Sequence, residues 1–277
     1  MDTETTVPAL PEALLQVSDI SFRIPDRERS LFDGLNLRVE AGESVVILGG
    51  SGVGKSTLAA MIFGLRKLPG LQGNVSCTED SVLLLQEGAV FDHLSVGGNI
   101  KLVLNRHGRS STDKDICDLL GQVNLENVPL NTPAHNLSGG QKRRLALARA
   151  LATHPSLFYF DEPSAGLDID NVRDQADLIR SLQNKEGIGI VVVTHDPLLA
   201  AIAGDRVLLL EDGRFHEIAS YSNPVDAQSS DEVRRRQTEI EDGVSGRLGV
   251  DLSGSEEEGF SLKSLMTQVG SQLESLV

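Results

Sequence analysis

The chain has 277 residues, a formal net charge of −15, 40% hydrophobic and 23% charged residues. That is apolar material for one large or two small globular domains, and the acidic balance argues against a nucleic-acid partner, which needs clustered basic surface. No window approaches the roughly 18–20 uninterrupted apolar residues of a membrane-spanning helix, the acidic start "MDTETTVPALPEALL" lacks the basic region of a secretory leader, and Cys77 and Cys117, without metal-ligand spacing, suit a reducing compartment.

Beyond an N-terminal tail over 1–13, short apolar alternations dominate the chain up to residue 48. "LLQVSDISFRI", "SLFDGLNLRVEAGES" and "VVILGG" predict strands separated by turns. "TLAAMIFGLRKL" predicts a helix, and "SVLLLQ" at 81–86 a short buried strand. From 87 to about 136 the chain turns helical and polar, and the helix "GQKRRLALARALA" leads into the apolar strand "SLFYFDEP". A helix over "NVRDQADLIRSLQNK" precedes the strand "GIVVVTHD", and a strand pair in "RVLLLEDGRFHEI" closes the unit near Ser220. Strands alternating with helices imply an α/β fold with a mainly parallel sheet covered on both faces. The expected limits of this unit are 14–222, with a helical portion at about 87–150.

Residues 223–277 form a C-terminal extension of different texture, rich in Ser, Gly and acid. Within it "SDEVRRRQTEIEDG" predicts one short helix, with Ser229 and Glu232 as a capping box and Gly243 as its stop. The spacing predicts an amphipathic helix over 260–277, where Leu262, Leu265, Met266, Val269, Leu273 and Leu276 share one face. That face either packs back on its own domain or docks a partner subunit.

Chemistry concentrates in a few stretches. Gly49-x-x-x-x-Gly54-Lys55-Ser56, between an apolar strand and a helix, matches a P-loop. Across Gly49, Gly50, Ser51, Gly52, Val53 and Gly54 the backbone N–H groups can turn onto phosphate oxygens, helped by the start of the helix at Lys55, Ser56 and Thr57. Lys55 can reach β- and γ-phosphates, and the Ser56 hydroxyl can bind Mg²⁺. Asp161, at the end of "LFYFDEP", can also hold Mg²⁺, while Glu162 can orient or deprotonate an attacking water. His195, ending another predicted strand, can donate to a γ-phosphate and sense its presence.

A second glycine pair, in "NLSGGQKRR", completes an order of motifs: phosphate loop 49–57, Gln86, Leu137–Gln141, "LFYFDE", "SAGLD" at 164–168, then His195. This order resembles the ATP-binding subunit of ATP-binding-cassette (ABC) transporters over roughly residues 14–220. The resemblance implies a P-loop NTPase of the ABC ATPase type, with an antiparallel β subdomain and a helical subdomain. It implies ATP as substrate with Mg²⁺ as cofactor, and Gln86 at both nucleotide and metal. Two copies would pack head to tail, an isologous contact. Ser138, Gly139, Gly140 and Gln141 would then cover the partner's nucleotide, with Asp168 nearby. Catalysis would rest on Glu162, His195 and Lys55, and the subunit would sit peripherally on the cytoplasmic face of the inner membrane, driving a separate permease.

Three departures from the family are visible, one being that Ile169 stands after "GLD" where a Pro is common. The aromatic that commonly stacks on adenine is missing, since that place falls at Ile24, with Phe22 two residues earlier on the same face. Base contact is therefore expected to be aliphatic unless Phe22 shifts to serve, and base selectivity weak. The segment 55–86 is also short, lacking room for an extra hairpin.

For cargo, "GAVFDHLSV" resembles the stretch after the Q-loop glutamine in ATPases of Mce-type lipid transporters, including phospholipid systems, and "VRRRQTEIEDG" weakly resembles their C-terminal extension. This points to lipid transport with a lipid-binding Mce-type partner. The ATPase of a lipoprotein-release or macrolide exporter, and a soluble ATPase such as that of iron–sulfur assembly, remain open alternatives.

Overall fold

The computed structural model describes residues 13–25, 29–85, 90–109, 112–225 and 229–248. Gln86 and the predicted helix 260–277 lie outside the described residues. Strands β1 (Leu15–Phe22), β2 (Phe32–Val39) and β4 (Gln72–Cys77) form an antiparallel sheet in the order β2-β1-β4. A six-stranded sheet runs β5-β6-β7-β3-β8-β9, with β3 at Ser44–Leu48, β5 at Ser81–Leu84, β6 at Leu157–Asp161, β7 at Gly189–Thr194, β8 at Arg206–Glu211 and β9 at Arg214–Ser220. All its pairings are parallel except β8 with β9. The helices are α1 (Lys55–Ile62), α2 (Val96–Arg106), α3 (Asp113–Gln122), α4 (Gly139–Leu151), α5 (Ile169–Glu186), α6 (Pro197–Ala203) and α7 (Ser230–Leu248).

The central strands read as unbroken apolar runs because both of their faces are covered. Every residue of β3 and β7 is buried. Successive side chains alternate between two cores. Val46, Leu48, Phe158, Phe160, Ile190 and Val192 join the helices on one face. Val45, Ile47, Leu157, Tyr159, Val191 and Val193 join α1 and the antiparallel sheet on the other. The β8–β9 connection is a two-residue hairpin through Asp212 and Gly213, with φ of 45° and 76°, the left-handed pair that matches strand twist. The Gly213 carbonyl accepts from Asp33 N–H at 3.0 Å, tying this hairpin to β2.

Four features differ from the sequence expectation. The short segment 55–86 does contain a further strand, β4, which completes the antiparallel sheet on β1. Its residues are half-buried or exposed, so no apolar run announced it. Strand β5 is half-buried at the sheet edge, not fully buried. Helix α6 follows β7 directly, capped by the Asp196 side chain on the N–H groups of Leu198 and Leu199, with Pro197 at its first turn.

Gly243 does not stop α7, which continues to Leu248. It marks close packing instead: a Cβ there would lie 2.6 Å from Ile218 Cγ2 on β9. Val233, Ile240 and Val244 join the main core, and Arg236, 4% exposed, lies 4.0 Å over the Tyr221 ring while donating to Asn223 O at 2.7 Å. Helix α7 therefore belongs to the packed unit. Ile240 is 0% exposed, so Ile240→Ala should lower unfolding free energy by about 2–5 kcal/mol, read from urea denaturation. A loss under about 0.5 kcal/mol, the range of a surface change, would show that α7 does not pack there in solution.

Candidate nucleotide site

The loop after β3 turns into α1 through glycines that backbone geometry demands. Gly52 and Gly54 have φ of 76° and 112°, and a Cβ on Gly54 would fall 2.9 Å from Phe32 Cε1. Conformation and space both exclude a side chain at 54. As the N-cap of α1, Gly54 offers no side-chain cap, so the first-turn N–H groups suit phosphate oxygens. Lys55 folds back across the loop, its Nζ donating to Gly49 O at 2.7 Å and Gly50 O at 3.0 Å. The Ser56 side chain lies on the exposed side of this turn.

The ends of β6 and β7 bring the acidic and imidazole groups to the same place. Glu162 has φ of 51°, a costly left-handed conformation for a non-glycine residue. Its N–H donates to Val193 O at 2.8 Å, which holds it against the neighbouring strand. Glu162 Oε1 lies 3.3 Å from Lys55 Nζ, and Oε2 lies 2.8 Å from His195 Nδ1. Burial opposes ionisation of this carboxyl. The His195 hydrogen bond and the Lys55 charge outweigh it and keep the group below its ordinary range. Asp161 goes the other way, pushed up by burial and then by the Glu162 charge, with Lys55 partly offsetting both. Adjacent carboxyls driven apart in this way are suited to different roles.

An ionised carboxylate only accepts, so His195 carries its proton on Nδ1 in this contact. In the neutral ring Nε2 is then an acceptor. Donation from Nε2 to a phosphate requires the imidazolium, or release of Nδ1 from Glu162.

Polar contacts that no local motif announced join these strand ends. Ser164, 0% exposed, sets its hydroxyl 3.3 Å from that of Thr194, which accepts from Asp196 N–H at 3.1 Å. The two residues lie far apart in sequence, and only the adjacency of β6 and β7 pairs them. Asp168 caps α5, its carboxylate accepting from Asn171 N and Nδ2, each at 2.9 Å.

The second glycine pair lies at the start of α4. Ser138 and Gln141 form a capping box: Ser138 Oγ accepts from Gln141 N at 3.2 Å, and Gln141 Oε1 accepts from Ser138 N at 3.0 Å. Gln141 thus shapes the helix start, with its side-chain oxygen engaged there. Gly139 and Gly140 are exposed, with nothing within 4 Å of where a Cβ would stand. A flat phosphate-bearing surface can approach that backbone closely.

At the expected adenine position, Ile24 is half-buried. Phe22 is 5% exposed and paired in register with Phe32, part of the core and unable to turn toward a base without unpacking it.

Hard oxygen donors suit Mg²⁺. Asp161, crowded by a second carboxylate, and the exposed Ser56 hydroxyl are such donors beside the loop.

Fold and site together define a P-loop nucleotide-binding domain with an ABC-type signature helix. A family model described as "ABC transporter" matches residues 32–165. The chain is 35% identical over 221 residues to the glutamate transport ATP-binding protein GluA of Corynebacterium efficiens, covering 71% of this chain and 89% of that protein. It is also 35% identical over 215 residues to the methionine import ATP-binding protein MetN of Nocardia farcinica, covering 72% of this chain but only 64% of that relative's length. Among solved structures, cbiO1 of Clostridium perfringens, part of the ABC transporter complex cbiONQ, superposes with a TM-score of 0.66 at 26% identity, over 86% of this chain and 100% of that one. The chain belongs to the family of ABC transporter ATP-binding subunits. No helix among the described residues is long and apolar enough to cross a membrane.

The Glu162 carboxyl sits below its ordinary value. Its stabilising contribution is therefore present above the unfolded pKa of about 4.3 and is lost as pH falls through the lower folded value. Glu162→Gln should trail the parent in thermal stability most at neutral pH, with the gap closing below about pH 4. A gap independent of pH would mean the carboxylate is not paired with Lys55 and His195.

Proposed function

We propose that this chain binds ATP and hydrolyses it by in-line attack of water on the γ-phosphate, and that the cycle powers a separate membrane permease. The observation that carries this reading is the convergence of Lys55, Glu162 and His195, from the ends of three neighbouring parallel strands, beside the loop 49–54. Phosphoryl transfer needs positioning and charge stabilisation more than covalent chemistry. Lys55 and His195 would stabilise γ-phosphate charge. Their transfer from Glu162 to the phosphate would free that carboxylate to accept from the attacking water. Ser56 and Asp161, with Gln86, would hold Mg²⁺, which when bound neutralises charge on the phosphate oxygens.

A second copy of the chain would complete each site. The exposed Gly139 and Gly140 backbone and the Ser138 hydroxyl would face the partner's nucleotide, with Asp168 and Gln141 lining the junction. The unit 14–222 would be the ATPase, sitting peripherally at the cytoplasmic face of the inner membrane. Within the extension 223–277, α7 packs on this same unit, and the stretch beyond it would reach a neighbouring subunit. With Ile24 in place of an aromatic, base contact is aliphatic, and GTP should also serve as substrate.

Cargo is selected outside this chain. We infer lipid, with an Mce-type partner, from the resemblance of "GAVFDHLSV". Uptake of a small polar solute is the second reading, favoured by the names of the methionine and glutamate relatives. Affinity capture from detergent-solubilised membranes decides: an Mce-type permease with bound phospholipid supports the first, a solute permease the second.

Glu162→Gln should lower ATP turnover by roughly 10²-fold or more, the usual contribution of a general base, and accumulate an ATP-bound dimer on size exclusion. Near-normal hydrolysis would remove Glu162 from the chemistry. Ser138→Arg should abolish hydrolysis while ATP binding persists, and equal loss of binding would contradict a site shared between copies.

A further inference from the structure

Arg143 lies on α4, one turn beyond the Ser138–Gln141 capping box. Its guanidinium Nη2 donates to the carbonyl of Ala165 at 2.9 Å, in a partly buried contact. Ala165 N–H in turn donates to Glu162 O at 3.1 Å. Residues 162–165 therefore form a β-turn with Pro163 at its second position, where the proline ring presets φ. Leu167 N–H donates to Ser164 O at 3.1 Å, which continues the turn toward Asp168. The buried Ser164 hydroxyl fastens the same turn to Thr194, next to His195.

Helix α4 has another polar link in this direction, Arg144 to Asp174, but that pair is long at 3.8 Å and its carboxylate is 61% exposed. An exposed pair of that kind holds position weakly. A guanidinium hydrogen bond to a single backbone carbonyl is stronger and directional. It also acts on the residues that immediately follow Glu162, whose own backbone is held at φ 51°. That conformation persists only if its surroundings over-determine it.

We infer that Arg143 is a positioning residue that locks the turn after Glu162 to the signature helix of the same chain, so that the seating of Ser138 and the placement of Glu162 are one mechanical event. This rests on the reading of the chain as an ATPase with sites shared between two copies. In such a dimer each chain lends its signature to one site and its glutamate to the other. Arg143 would couple those two sites through a contact internal to each chain.

The test uses the full-length chain with Arg143→Met, which keeps the apolar stem and removes the donor, and Arg143→Lys, which keeps a charged donor. Hydrogen–deuterium exchange in the peptide 161–168 should quicken roughly tenfold in the Met variant, as expected when a turn loses one hydrogen bond from a charged donor. The Lys variant should stay near the parent, and melting temperatures should remain close. ATP kcat should fall roughly tenfold in the Met variant, equivalent to about 1.4 kcal/mol of lost positioning, with KM within about twofold. Lys should restore most of that turnover.

Unchanged exchange in that peptide overturns the tether, and faster exchange with unchanged kcat overturns the positioning role. If the parent itself binds no nucleotide, the ATPase reading falls, while the exchange measurement still judges the tether. Should the Met variant not fold, Arg143→Leu, which also lacks a donor, supplies the same comparison.

Discussion

The parallel register of β6, β7 and β3 is the constraint on which the site depends. Asp161 pairs with Val193, and Leu48 with Thr194, so the C-terminal ends of three central strands lie side by side. Each strand is followed at once by its working group: the glycine loop and Lys55 after β3, Glu162 after β6, His195 after β7. A slip of one residue in either pairing would turn every side chain of a strand to the opposite core. The two buried faces therefore enforce the alignment that brings a lysine, a glutamate and a histidine within hydrogen-bonding distance.

Charge follows from that geometry. The site is assembled where desolvation would otherwise expel ions, yet Glu162 remains a carboxylate because Lys55 and His195 stand against its two oxygens. Asp161 is pushed up by burial and then by its neighbour's charge, which Lys55 offsets only in part. One contiguous pair of acids thus acquires two characters, one suited to accept from water and the other to bind a hard cation. The left-handed backbone of Glu162 is part of this arrangement, since it is held there by Val193 on one side and by the 162–165 turn on the other.

The signature segment shows how one short motif both starts a helix and leaves bare backbone at the surface. Ser138 and Gln141 satisfy each other's backbone groups and start α4, while the two glycines between them leave bare backbone at the surface. Arg143 and Lys142, on the next turn, reach the turn after Glu162 and the carboxylate of Asp92 respectively. A helix that begins at an exposed stretch of backbone is in this way bonded to both the turn after Glu162 and the segment beyond residue 89.

Much of this was legible in the linear chain. The apolar runs "SVVIL", "LFYFD" and "GIVVVT" announced buried parallel strands, and the glycine spacing with Lys55 and Ser56 announced a phosphate loop, because those patterns follow from local backbone geometry and side-chain periodicity. Strand β4 escaped because a half-exposed edge needs no apolar run. The role of Gly243 was misread because a glycine that ends a helix and one that lets a strand approach look alike in sequence. The Ser164–Thr194 and Arg143–Ala165 contacts escaped because each joins residues far apart in the chain. Local sequence determines which groups carry charge, which turns are possible and where strands end, since those depend on neighbours along the chain. Only the tertiary structure decides which of those ends meet, because meeting depends on sheet order and on the packing of two opposed cores.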